Sequence, residues 1–158
     1  MTRFVGTHVS KLDRKGRVSI PSHFRHALER LSNNQIILNP SFLEPCVDAW
    51  PQYLFEELVD RVNEMAKFSE EHEDASFTLF AEANELSADA EGRVVLTEPL
   101  IGHANLTDSV AFIGRGDYFQ LWEPLAAKAR AQLGRERSRL RGFTLPGTPR
   151  PERKAGEA

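Results

Sequence analysis

One cysteine, Cys46, stands in 158 residues, so no disulfide can close within the chain and no cysteine cluster can hold a metal. A lone thiol with no base in view reads as a small buried residue in a reducing compartment. No stretch approaches the roughly 18 apolar residues that a membrane span needs, and Met1-Thr2-Arg3-Phe4 opens no charged-then-apolar leader. The expectation is a soluble, cytoplasmic protein that does not engage a membrane. His8, His23, His26, His72 and His103 match no zinc spacing and have no acids interleaved with them, so no metal is assigned and the histidines are expected on surfaces. The carboxylates come in runs without a paired acid-base setting, so no catalytic residue, enzyme activity or cofactor is expected.

Nor is there a large excess of either sign, since the formal net charge is only -3. Its distribution is uneven. Residues 1–30 hold seven Lys or Arg against two acids; residues 43–91 hold fourteen acids against Arg61 and Lys67; residues 92–158 hold eleven bases against seven acids. A basic head and a basic tail thus flank an acidic middle, a distribution that matters more than the total for what the surface attracts.

What the chain does have is one statement made twice. Leu12-Asp13-Arg14-Lys15-Gly16-Arg17-Val18-Ser19-Ile20 returns 76 residues later as Ala88-Asp89-Ala90-Glu91-Gly92-Arg93-Val94-Val95-Leu96. Each copy is followed by a short apolar run, residues 36–38 and 110–113, and then by Trp50-Pro51 or Trp122-Glu123-Pro124. A unit repeated with its surroundings indicates duplication. The spacing places a first domain over residues 1–74, a second over 75–142 and a disordered tail over 143–158, where Pro, Gly and charge leave too little apolar surface to order the chain. Halves this small bury modest cores alone and are expected to lean on each other or on a partner.

Residues 4–9 and 17–20 read as strands joined by a hairpin turn in which Asp13 supplies an Asx acceptor and Gly16 tolerates positive φ. A helix over 21–31 comes next, with Pro21 in its first turn and Phe24, Leu28 and Leu31 as its apolar stripe. Strands at 35–38 and 46–49 precede a helix opened by Pro51, with Leu54, Leu58, Val62, Met65 and Phe68 at helical spacing. The acidic run 69–74 is expected to be a solvated break, 75–83 a connecting helix, 94–96 the second outgoing strand and 124–140 the last helix. Trp50 and Trp122 are expected to anchor the core ahead of the two long helices.

Those residues carry a family likeness. The segment Leu12-Asp13-Arg14-Lys15-Gly16-Arg17-Val18-Ser19-Ile20-Pro21, the second Asp89-x-x-Gly92-Arg93, Gly114-x-Gly116 and Phe119-Gln120-Leu121-Trp122 resemble the MraZ family of tandem-repeat regulators built from AbrB-like modules. The resemblance runs from about residue 4 to residue 140. It implies an α+β fold of two tandem swapped-hairpin β-barrel halves with flanking helices. It also implies a ring-shaped homo-oligomer and binding to direct repeats in promoter DNA upstream of the division and cell-wall gene cluster, hence a nucleoid-associated protein. By the same likeness the DNA-facing role falls on Lys11, Arg14, Lys15 and Arg17, with Arg93 as the second-copy counterpart. The second copy departs from the first where Glu91 stands for Lys15, and from the family where Ile101 follows Leu100 in place of an Arg.

Read on their own chemistry, Lys11, Arg14, Lys15 and Arg17 fall within seven residues with only Asp13 to offset them, a cluster able to neutralise phosphates and release counterions. Arg17 can present its planar fork to a guanine edge from a β-ribbon in the major groove, or it can close the turn by pairing with Asp13; both readings stand. Asp13, Gly16, Asp89 and Gly92 are read as turn-shaping. The run Arg130, Arg135, Arg137, Arg139 and Arg141 is either a solvated helix end that suits the helix dipole or a surface that docks on Glu56, Glu57, Asp60 and Glu64 of a neighbouring subunit. The competing overall function is an oligomeric protein-interaction scaffold without specific DNA binding.

Overall fold

Eight strands and five helices alternate along the chain in a computed structural model that describes residues 3–147. The first copy supplies β1 (Thr7–Lys11), β2 (Arg17–Ser19), α1 (Ser22–Ser32), β3 (Gln35–Pro40), β4 (Val47–Pro51) and α2 (Gln52–Asn63). A connection made of α3 (Glu70–Ser76) and a π-helical turn (Phe77–Ala81) leads to the second copy. That copy repeats the order with β5 (Asn84–Ser87), β6 (Arg93–Val95), α4 (Glu98–His103), β7 (Ser109–Gly114), β8 (Phe119–Trp122) and α5 (Pro124–Arg141). By its contacts the chain divides into a unit ending at Ala127 and a second beginning at Lys128, whose described residues are the distal part of α5 and the short segment from there to Gly147. Most of the tail expected to be disordered lies outside the described residues.

The strands interleave the two copies. Six of them form one antiparallel sheet in the order β1-β7-β8-β4-β3-β5, and β2 and β6 form a separate ribbon. This corrects the expectation of a simple hairpin at residues 4–20. β1 pairs not with β2 but with β7 (His8 opposite Phe112), and β2 pairs with β6 (Val18 opposite Val94). The turn between β1 and β2 is closed locally, by Asp13 N–H to Arg17 O at 3.0 Å and Gly16 N–H to Asp13 O at 3.1 Å, and each outgoing strand then finds its ladder in the other copy. The first strand also starts later than expected. Gly6 at φ +89° breaks it, and Phe4 is held instead by two backbone bonds to Gly116.

One face of the sheet carries the main core, filled by both copies. Leu38, Ala49, Phe112, Phe119 and Leu121 from the sheet meet Val18 and Val94 from the ribbon, Phe24 and Leu28 from α1 and Leu100 from α4. Phe24 lies at its centre, 5.4 Å from the ring of Phe4 and 5.0 Å from that of Phe119, distances at which aromatic pairs add to simple burial. Direct pairing across β3, β4 and β8 puts Asn39, Asp48 and Gln120 on the opposite face, where all three are buried. Gln120 Nε2 donates to Asp48 Oδ1 at 2.8 Å, and its Oε1 accepts from Arg115 and Trp122.

Several helix boundaries differ from the sequence reading for local reasons. Pro21 caps α1 rather than entering its first turn, because ψ of 139° there is still extended. In α2 the apolar series stops at Val62; Met65 and Phe68 lie beyond the helix and are exposed. The acidic run is helical rather than a break. Ser69 Oγ accepts from the N–H of His72, and Glu70, Glu71 and Glu73 sit in the first turn of α3, where the helix dipole favours negative charge. Six-residue α4 was not expected, since its single buried side chain, Leu100, leaves no period to detect.

Candidate nucleic-acid interface

The first motif turn is built around one carboxylate. Asp13 Oδ1 accepts from the backbone N–H groups of Lys15 (2.9 Å) and Arg17 (2.8 Å), while Oδ2 accepts from Arg17 Nε at 2.6 Å. The N–H of Arg17 is the main reason the Asp13 carboxyl is held below its ordinary range, with the Arg17 guanidinium adding to it. Gly16 completes the turn at φ +81°, a backbone conformation that favours glycine. Its neighbourhood is tight as well, since a Cβ there would lie 2.7 Å from the Leu96 carbonyl oxygen.

This geometry leaves cations outward. Lys11, Arg14 and Lys15 are exposed, and among the described residues none of them has an ion-pair partner. Arg17 is half-buried and its pairing uses Nε, so the ion pair steadies the guanidinium without using its two terminal nitrogens. Turn-closing and presentation of the fork are therefore compatible in one residue.

The second turn repeats the scaffold and reverses the charge. Asp89 Oδ1 accepts from the N–H groups of Glu91 and Arg93, both at 2.9 Å, and Oδ2 accepts from Arg93 Nε at 3.1 Å. These backbone bonds, that from Arg93 first, hold the Asp89 carboxyl low in turn. Here, however, Glu91 Oε2 also lies 3.2 Å from Arg93 Nη2, so the guanidinium is gripped by two acids. Ala90 and Glu91 replace Arg14 and Lys15, and residues 87–93 carry one base against two acids where residues 11–17 carry four bases against one.

The ribbon brings both turns against the helices of the opposite copy. Leu96 N–H donates to Gly16 O at 2.7 Å, and Ile20 N–H to Gly92 O at 2.9 Å, as the duplication requires. A Cβ on Gly92 would strike the side chain of Arg25 in α1; one on Gly16 would lie 3.7 Å from Cδ1 of Ile101, which stands 76 residues after Arg25. Arg25, together with His26 and Glu29, therefore lines a recess with Asp89, Ala90 and Gly92. Sequence reasoning missed this placement. The available signal was the Arg25–Ile101 correspondence, but only the crossed pairing shows which turn each residue serves.

The weaker candidates fall into place around this. His8 and His23 are not surface residues as expected but half-buried, flanking Phe24 with ring centroids 5.3 and 5.9 Å away. Cys46 is fully buried beside Ala111, Trp122 and Ala127, and burial pushes its thiol up to about 12, with the nearby Asp48 adding to it. Trp122 is buried, whereas Trp50 is half-buried, stacks on Tyr118 at 4.3 Å and donates to Asn39 Oδ1 at 2.7 Å. Among the described residues no helix is long and apolar enough to cross a membrane.

The molecule these observations define is a duplicated α+β module whose two copies share one sheet and one ribbon, with a cationic turn and a net acidic turn. The chain belongs to the MraZ family: the model of the MraZ protein, described as antitoxin-like, matches residues 3–77 and again 79–133. The chain is 47% identical over 150 residues to a transcriptional regulator MraZ of Gluconacetobacter diazotrophicus, covering 93% of this chain and 95% of that one. It is 45% identical to the protein of the same description from Gluconobacter oxydans (96% and 92% covered) and 40% identical to that from Xanthobacter autotrophicus (88% of each).

Proposed function

We propose that the protein is a transcriptional regulator, like the relatives that carry that description, and that it binds duplex DNA through the first motif turn. The carrying observation is the asymmetry between the turns: Lys11, Arg14 and Lys15 exposed without acid partners among the described residues, beside an Arg17 steadied by Asp13. Three or four cations on one exposed turn neutralise phosphates and release counterions, which supplies affinity and makes it steeply salt-dependent. The terminal nitrogens of Arg17 supply the part that reads sequence, at a guanine edge in the major groove. Arg93, bound by Asp89 and Glu91, contributes less. Asp13, Gly16, Asp89 and Gly92 shape the turns and do not touch DNA.

One turn offers few contacts, so a single copy binds weakly. In this reading the two AbrB-like repeats, residues 1–74 and 75–142, form swapped-hairpin halves of a barrel, and copies of the chain assemble into a ring that presents several first turns to direct repeats in promoter DNA. Each contact raises the effective concentration for the next. The setting is the cytoplasm, at the nucleoid.

The test uses DNA from upstream of the protein's own gene and a scrambled control, titrated with salt. Arg14→Ala with Lys15→Ala is expected to weaken both complexes and to flatten the plot of log affinity against log salt by about 2, near one unit per lost phosphate contact. Arg17→Ala is expected to bring the promoter fragment down to the level of the scrambled one. Unchanged retention in both variants would refute the assignment.

A further inference from the structure

We infer that the basic distal half of α5 docks on α2 and α3 of a second copy of this chain. The proposal rests on the oligomer in the reading above and names the surfaces that hold it. Past Ala127 no residue of α5 is buried, and Arg135, Arg137, Arg139 and Arg141 are all exposed. With 3.6 residues per turn, Arg137 and Arg141 lie on one side of the helix, next to Leu133 and Leu140. Both leucines are exposed, Leu140 at 78%. The two leucines give the cationic side of the helix an apolar strip that a second surface can cover.

The matching surface has the same make-up with opposite charge. Glu56 and Asp60 of α2 and Glu64 at its C-cap recur every four residues, and Glu70, Glu71, Glu73 and Asp74 come after them in α3; all are exposed. Between and beside them stand exposed apolar side chains: Met65 (41%), Phe68 (90%) and Phe77 (69%). Residues 56–74 hold eight acids against Arg61 and Lys67, while residues 128–141 hold six bases against Glu136. Duplex DNA is the other polyanion that α5 could meet. It offers nothing for Leu133 and Leu140, whereas the α2–α3 surface pairs acids with uncovered apolar groups at the same places. Unless the two copies make this contact reciprocally as a closed pair, α5 of one copy on α2–α3 of the next is a head-to-tail contact, which closes into a ring when the rotation per copy allows.

The experiment is a charge swap on the full-length chain. Arg137→Glu with Arg141→Glu is expected to lower the weight-average mass by sedimentation velocity at least twofold, with helicity retained by circular dichroism. Adding Asp60→Arg and Glu64→Arg, which restores opposite signs at the same four-residue spacing, is expected to bring the larger species back. A mass unchanged by the first pair overturns the proposal: α5 is then a DNA-contacting arm if promoter retention falls, and a solvated helix if it does not. A drop that the second pair fails to reverse overturns it too. A wild-type chain that sediments as a monomer removes both this contact and the ring, while the DNA-contact assignment is judged separately by Arg14→Ala with Lys15→Ala. Should the charge swap misfold, chains carrying Asp60→Cys mixed with chains carrying Arg137→Cys provide a second readout through a short bismaleimide. Cys46 is fully buried and will not compete, so failure to form the mixed pair counts against the contact.

Discussion

Gly16 joins the turn chemistry to the shared ribbon, and replacing it by alanine separates two costs. The first is conformational: at φ +81° an L-residue is strained, at about 1–2 kcal/mol. The second is steric. The new Cβ would sit 2.7 Å from the carbonyl oxygen of Leu96, and that oxygen cannot swing aside cheaply, because Leu96 is buried and its N–H donates back to Gly16 O at 2.7 Å. Overpacking against a fixed neighbour costs about 1–3 kcal/mol, so the total is about 3 kcal/mol, equivalent to roughly 6–12 °C in melting temperature for a chain of this size. Gly116 supplies the control: its φ is +87°, but a Cβ there would meet nothing within 4 Å, so Gly116→Ala carries only the conformational cost of about 1–2 kcal/mol. Urea unfolding of both variants, compared at equal m-values, gives the difference directly. Equal destabilisation by the two substitutions would show that the crossed contact between Gly16 and Leu96 is not a packing constraint, and the ribbon pairing would have to be reconsidered.

Glu91→Lys removes the second acid from Arg93 and restores the cation that the first turn has at Lys15; promoter and scrambled DNA are both expected to bind more tightly, with a steeper salt dependence, and unaltered binding would exclude the second turn from the interface. Burial raises the pKa of Asp48, with the amide of Gln120 opposing this only in part. A carboxyl so raised contributes its full stability below the ordinary range near 3.9 and loses it as pH rises through the folded-state value. Asp48→Asn, which keeps the acceptor for Gln120 Nε2, is therefore expected to melt above the wild type at pH 7, with the gap shrinking toward pH 4; a gap independent of pH would mean that ionisation of Asp48 is not what costs stability.

Sequence alone determined the duplication, the order of elements in the first copy and the turn residues. These depend on short-range chemistry: Asp13 and Arg17 are four residues apart, Gly16 must accept positive φ, and the alternation of Val18 and Ile20 with polar neighbours marks one buried face. The charge contrast between residues 11–17 and 87–93 is equally legible, since it needs only the identities of the side chains. Local pattern also misled where long-range partners decide. Nothing within residues 4–20 says that β1 and β2 pair with the other copy rather than with each other, because side chains alternate along a strand in the same way whichever strand it pairs with. The helix in the acidic run escaped notice because its support is a Ser69 cap and the dipole rather than an apolar stripe.

Only the tertiary structure decided how much of each charge remains available. Arg17 and Arg93 are indistinguishable as letters in a motif, yet one keeps its terminal nitrogens clear of acids and the other is held between Asp89 and Glu91. Arg25 reaches the second turn, and Ile101 the first, because the strands cross before the helices begin. The reason is physical: a residue type fixes what a side chain can do, whereas distance and burial fix which neighbours it meets, and here those neighbours come from the opposite half of the chain.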